Sequence, residues 1–126
     1  IFDCIQSIDR EKLVIEIIKN KEKLSQFKTS SYFIQINIGE EEQKSGINVK
    51  DFKDFYFFCL ESKLNIVGLM CIPPISMNVE KYFNAMATIK NNIDPKLKLS
   101  MGMSNDYFIA LKCKTNLIRI GSKLFV

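Results

Sequence analysis

YFIQINI, residues 32–38, decides how this chain is built. The run is rich in aromatic and β-branched residues and is bounded by serines at 30 and 31 and by Gly39, so it reads as a strand. Upstream, Leu13, Val14, Ile17, Ile18 and Leu24 recur at helical spacing over residues 10–24, behind a short apolar strand at 4–8 and with Asp9 as the expected helix cap. Downstream, the loop GEEEQKSG (39–46) leads into a helix over about 49–62, with Phe52, Phe55, Tyr56 and Cys59 as its apolar stripe. A strand NIVGLMCI (65–72) ends at Pro73 and Pro74, because proline cannot donate to a ladder. Val79, Tyr82, Phe83 and Met86 then mark a helix closing near 91–92, followed by a strand at 97–101. Ser104 is the expected cap of a helix over 105–113, and the last strand is expected at 117–120.

Strands thus alternate with helices from end to end, which predicts a parallel sheet flanked by helices, the α/β class. Two closures fit: a doubly wound sheet, or part of a (β/α)8 barrel. A whole barrel takes about 250 residues. The 126 residues here would supply about half of one.

Composition narrows the chemistry. A hydrophobic content of 47% suits one globular domain or part of one. No apolar run approaches the ~20 residues that span a bilayer, and IFDCIQSIDRE lacks the pattern of a signal peptide. The chain begins with Ile1 rather than Met, in the middle of a pattern, which gives the expectation of a fragment. Its +4 net charge comes from 16 scattered lysines and 2 arginines against 14 acids, which predicts a solvated surface rather than a nucleic-acid interface. Cysteines at 4, 59, 71 and 113 show no C-x-x-C spacing and there is no histidine, so no metal site is expected, and the thiols read as those of a reduced, cytoplasmic protein. Without histidine, Ser-His-Asp and Cys-His nucleophiles cannot be assembled. Chemistry must come from Lys, Tyr, carboxylates or a cofactor.

In both architectures ligands gather at the carboxyl ends of the strands. GEEEQKSG carries Lys44 and Ser45 but also reads as a solvated surface loop. LSMGMS (99–104) sets a glycine between two methionines ahead of Ser104, offering backbone N–H groups to an anion, though an ordinary strand–helix turn would look similar. RIGS (119–122) places Gly121 and Ser122 after a strand, where late strands of a barrel form phosphate sites. The two loops would lie on neighbouring strand ends and could share one phosphate. Arg119, an arginine at a strand end against a lysine-rich background, adds a planar, permanent charge.

Together, INIGEEEQKSGI (36–47), GLMCIP (68–73), LSMGMSND (99–106) and RIGSKLF (119–125), with IQSIDR (5–10), resemble in order and content the pyridoxal phosphate (PLP) homeostasis family. That family is similar to the N-terminal barrel of alanine racemase. The resemblance spans the chain and implies residues 1–126 to be the C-terminal half of a PLP-binding (β/α)8 barrel domain. It implies a cytoplasmic, monomeric PLP carrier in vitamin B6 homeostasis without established catalysis, with PLP-dependent apoenzymes as acceptors; the alternative is an amino-acid racemase-like enzyme.

The resemblance further implies that backbone and hydroxyl groups of Ser100, Met101, Gly102, Met103 and Ser104, with Gly121 and Ser122, grip the PLP phosphate, and that Arg119 faces the pyridine nitrogen. A cation there disfavours protonation of that nitrogen and weakens PLP as an electron sink. The lysine that holds PLP as a Schiff base, in the family's A-V-S-K strand, is expected upstream of Ile1, and Lys44 is the remaining lysine expected near the cofactor. Departures from the family pattern are Gln6 for His, Phe108 for Glu, Lys114 for a helix-ending Gly, and Val126 for Gly.

Overall fold

In the computed structural model, residues 4–20, 31–42, 45–75, 77–103 and 106–118 are described. Strand β1 (Cys4–Ile8) is followed by helix α1 (Glu11–Lys19) and strand β2 (Ser31–Asn37). A two-residue strand β3 (Ile47–Asn48) and a 3-10 turn (Val49–Asp51) lead into α2 (Phe52–Glu61). Then come β4 (Ile66–Met70), α3 (Glu80–Ile93), β5 (Lys98–Ser100) and α4 (Tyr107–Lys112).

All pairings among the described residues are parallel, and the main path of the sheet runs β1-β2-β4-β5, continued by a bridge from Ser100 to Leu117. Strand order follows chain order with no reversal. A doubly wound sheet reverses at its switch point, whereas a barrel lays each new strand beside the last, so the order selects the barrel-type arrangement. The pair β2–β3 was not expected: Ile36 and Asn37 lie beside Ile47 and Asn48.

The strand alternation sorts the sheet into two faces. Tyr32, Ile34 and Ile36 of β2, with Leu69, Leu99 and Met101, face the helices and join Val14, Phe55, Cys59, Phe83 and Met86 in the core. Full burial of a side chain such as Phe83 or Leu69 contributes about 2–3 kcal/mol. Each helix turns its apolar stripe inward, Val14 and Ile17 on α1, and Phe52, Phe55, Tyr56 and Cys59 on α2.

The ends of the elements depart from expectation in instructive ways. Asp9 does not cap α1, whose N-cap is Arg10 with no side-chain hydrogen bond. Its carboxylate instead accepts the Gly46 N–H at 2.9 Å and pairs with the Arg10 Nε at 3.1 Å. A long-range acceptor thus displaces the local cap. The helix expected to run to 24 is seen to Lys19; residues 21–30 lie outside the described ones.

Helices α2 and α4 close alike. Lys63 donates to the Leu60 carbonyl and Leu64 to that of Cys59; Lys114 donates to Leu111 and Thr115 to Ala110. Both lysines lie in the left-handed region, at φ 63° and 66°. This is the Schellman closure, normally a glycine's place. It gives the Lys114 departure its physical meaning: the backbone still adopts the turn the missing glycine would favour.

Candidate functional site

Register places Gln35 beside Met70 and Met70 beside Ser100, so these three form one lateral row on the sheet face away from the helices. The row sits at the carboxyl ends of β2, β4 and β5, and the bridge to Leu117 continues it. Gln35, Asn37 and Ser100 are the buried polar residues among those described, with exposures of 7%, 7% and 0%. All three belong to this inner face. Buried polar groups cost free energy unless they find partners, so their concentration at one end of one face marks that end as the polar mouth.

At the end of β2, the Asn37 amide closes the following loop on itself. Its Nδ2 donates to the Glu41 carbonyl at 2.6 Å, and its Oδ1 accepts the Glu41 N–H at 3.2 Å. Gly46, at φ 114°, returns the chain so closely that a Cβ there would lie 2.6 Å from the Asn37 nitrogen. A cleft of about 640 Å³ opens here, lined by Asn37, Glu40, Glu41, Glu42, Asn48 and Lys50. A second, of about 470 Å³, lies along β1 and α1 and reaches Gln35 and Ser45.

At the end of β5, the loop expected to offer donors to an anion is partly committed already. The Met101 N–H is taken by the Leu117 carbonyl at 3.1 Å and by the Thr115 hydroxyl at 3.2 Å. The Met103 N–H is taken by the Asp106 carboxylate at 2.6 Å. Between them the Gly102 N–H has no hydrogen-bond partner among the described residues. Gly102 holds φ 102°, and a Cβ there would meet the Ala110 Cβ at 2.6 Å. Left-handed geometry and steric closeness both demand glycine.

The expected site residues therefore take different positions. Ser100 is fully buried on the inner face. The Met101 side chain packs in the helix-side core, and Met103 is half-exposed. Gly102 carries the open donor. Ser104, Lys44, Arg119, Gly121 and Ser122 lie outside the described residues, and so does the helix start expected at Asn105. The described helix begins at Tyr107 with Asp106 as N-cap. Phe108, one of the departures, is largely exposed and lies tilted against Tyr107 with ring centroids 4.2 Å apart.

Thr115, Asn116 and Asp106, which hold the β5 loop, were not singled out from the sequence. Their signal lay in polar residues just outside a strand and a helix. Gln35 and Asn37 were legible in principle, as polar residues two apart in an apolar strand.

Cys59, Cys71 and Cys113 are buried thiols. Burial pushes the Cys59 thiol up to about 12, with Glu11 adding to the shift, and raises that of Cys113 as well, with Glu80 contributing. Neither is a nucleophile at neutral pH. No group of three or more His, Cys, Asp or Glu among the described residues could hold a metal. No described helix is long and apolar enough to cross a membrane.

No family model matches the chain. It is 32% identical over 130 residues to the pyridoxal phosphate homeostasis protein of Aquifex aeolicus and 35% identical over 126 residues to that of Helicobacter pylori. Each match covers 96% of the chain but 56% of the relative, so the chain spans little more than half their length. Among solved structures, PipY of Synechococcus elongatus without PLP matches with a TM-score of 0.80 and 25% identity over 99% of this chain and 62% of PipY. PipY with PLP bound matches at 0.77 and 25% identity over 99% of this chain and 61% of that one. In sequence and in its barrel-type sheet, the chain is similar to the C-terminal part of the pyridoxal phosphate homeostasis proteins.

Proposed function

We propose that residues 1–126 form the phosphate-gripping part of a PLP-binding barrel domain, in a protein that carries PLP in vitamin B6 homeostasis and has no catalytic turnover of its own. The observation that carries this reading is Gly102: an open backbone donor at φ 102°, beside the buried Ser100, at the carboxyl end of a parallel strand. The PLP-bound PipY neighbour and the names of the relatives support PLP as the ligand.

The residues described fit such a group. A phosphate has acceptor oxygens only at the charge it carries when bound, so it needs N–H and O–H donors. Gly102 supplies the N–H, and Ser100 and Ser104 supply hydroxyls, with Met101 and Met103 shaping the loop on either side. Gly121 and Ser122 complete the cup from the neighbouring strand end, and Arg119 faces the pyridine nitrogen. Lys44 stands at the mouth, near the cofactor. When bound, PLP supplies an aldehyde that condenses reversibly with amines. The lysine that anchors it covalently lies upstream of this segment, in the full-length protein, which works as a cytoplasmic monomer delivering PLP to apoenzymes.

The test is a titration of the full-length protein with PLP, followed by absorbance and by heat unfolding. PLP is expected to raise the unfolding midpoint, since a ligand that binds only the folded state stabilises it by mass action. Pyridoxal, which lacks the phosphate, is expected to do so far less. Equal effects of both would defeat the phosphate-grip reading. Measurable amino-acid racemisation would defeat the carrier reading in favour of an enzyme. For Lys44→Ala, an unchanged rate of PLP exchange would remove Lys44 from the site.

A further inference from the structure

The peptide that carries the Gly102 N–H is contacted by a residue that does not belong to its own loop. The Met101 carbonyl and the Gly102 N–H share one peptide plane and, in a trans peptide, point in opposite directions. Whatever holds the carbonyl therefore orients the N–H. The Thr115 hydroxyl holds it, at 3.2 Å from the Met101 oxygen. The same hydroxyl oxygen lies 3.1 Å from the Leu99 carbonyl, 2.8 Å from the Leu117 carbonyl and 3.2 Å from the Met101 nitrogen, whose N–H it accepts. A hydroxyl has one proton, so it shares it among three carbonyls while accepting from one amide. It thus sits at the centre of the crossing from β5 to the next strand.

Asn116 completes the clamp. Its Oδ1 accepts the Leu99 N–H at 2.8 Å, and the Leu99 carbonyl accepts the Asn116 and Leu117 N–H groups at 2.9 and 3.0 Å. Leu99 is thereby pinned on both sides, and Thr115 is the described side chain in hydrogen-bond contact with the carbonyl of the Met101–Gly102 peptide. Thr115 itself is delivered to this place by the left-handed turn at Lys114.

From this geometry we infer that Thr115 is a positioning residue for phosphate recognition: its hydroxyl fixes the Met101–Gly102 peptide so that the Gly102 N–H points away from the ladder, toward the ligand. The inference rests on the reading of this end of the sheet as a phosphate site. Its consequence is selective. Losing the hydroxyl disturbs the grip on the phosphate and leaves contacts to the pyridine ring in place.

The test compares affinities for PLP and for pyridoxal in the full-length protein, in the wild type and in three variants. Thr115→Val keeps the shape and removes the hydroxyl; it is expected to weaken PLP binding about tenfold or more while pyridoxal binding stays unchanged. Thr115→Ser keeps the hydroxyl and is expected to retain the wild-type preference for PLP. Thr115→Ala leaves room for a water; it is expected to lose part of the preference and serves where the valine variant does not fold. If the valine or alanine variant keeps the full preference, or if PLP and pyridoxal affinities fall together, the hydroxyl does not aim the donor and the inference is overturned. A wild type with no preference for PLP would instead defeat the phosphate-site reading beneath it, so the two failures are distinguishable.

Discussion

The loops that leave β2 and β5 begin alike and end differently. Each follows a buried inner-face strand end, each contains a glycine at positive φ (Gly46 and Gly102), and each is braced by polar side chains. After β2, the braces leave a self-contained turn: Asn37 clasps Glu41 through both its donor and its acceptor, and the Gly46 N–H goes to Asp9. After β5, the N–H groups on either side of Gly102 are occupied and the one at Gly102 has no partner among the described residues. Glycine serves closure in the first loop and, on the phosphate-site reading we propose, ligand recognition in the second. An open donor is informative when its neighbours are committed, because the fold has then singled out which group is free to meet a ligand.

The largest effect is expected at Gly46. A methyl there meets a backbone nitrogen that cannot move aside, in addition to the left-handed strain, so Gly46→Ala is expected to cost about 3 kcal/mol or more in urea unfolding. Gly102→Ala comes next, at about 2 kcal/mol, since its neighbour is a side-chain methyl on α4. Combining it with Ala110→Gly should give a cost smaller than the sum of the two single changes, because the clash is then relieved. The decisive contrast is in binding: Gly102→Ala should abolish the preference for PLP over pyridoxal, and no Gly46 variant that folds should do so.

Asn37→Ala should cost about 1–2 kcal/mol by leaving the Glu41 backbone without its clasp, again with the PLP preference retained. Lys114→Gly acts the other way. It relieves a side chain held at φ 66° and should stabilise the protein by about 1 kcal/mol, while Lys114→Val destabilises it. The thermal midpoint checks both directions.

The smallest effect is a pH dependence that both loops share through the helix layer. The thiols of Cys59 and Cys113 and the phenols of Tyr32 and Tyr56 are all raised by burial, with Asp94 adding to the shift of Tyr56. A raised acid is neutral in the folded state while its unfolded counterpart ionises, so the stabilisation is complete below the unfolded value, near 9 for a thiol, and is lost as pH rises toward about 12 for Cys59. The unfolding midpoint should therefore fall above about pH 9, and Cys59→Ala should flatten that fall. If the loop variants changed its slope, the separation of the loops from the helix layer would fail.

Much of this was legible in the residues. YFIQINI announced its strand because β-branched and aromatic residues bounded by turn formers have few other uses, and its alternation already held both faces, apolar Tyr32, Ile34 and Ile36 against Gln35 and Asn37. The alternation of strands and helices gave a parallel sheet, and the motifs LSMGMS and RIGS, in order with INIGEEEQKSGI and GLMCIP, gave the family resemblance. Such features are local or periodic, and local chemistry is enough to set them. Chain order within the sheet was not local: the doubly wound and barrel closures use the same alternation, and the β-ladder partners separated them. Nor could spacing reveal that Asp9 would abandon its helix for the Gly46 N–H, 37 residues away, or that Thr115 would reach back to Met101. Those hydrogen bonds join segments distant along the chain, and only packing the sheet brings their donors and acceptors within reach.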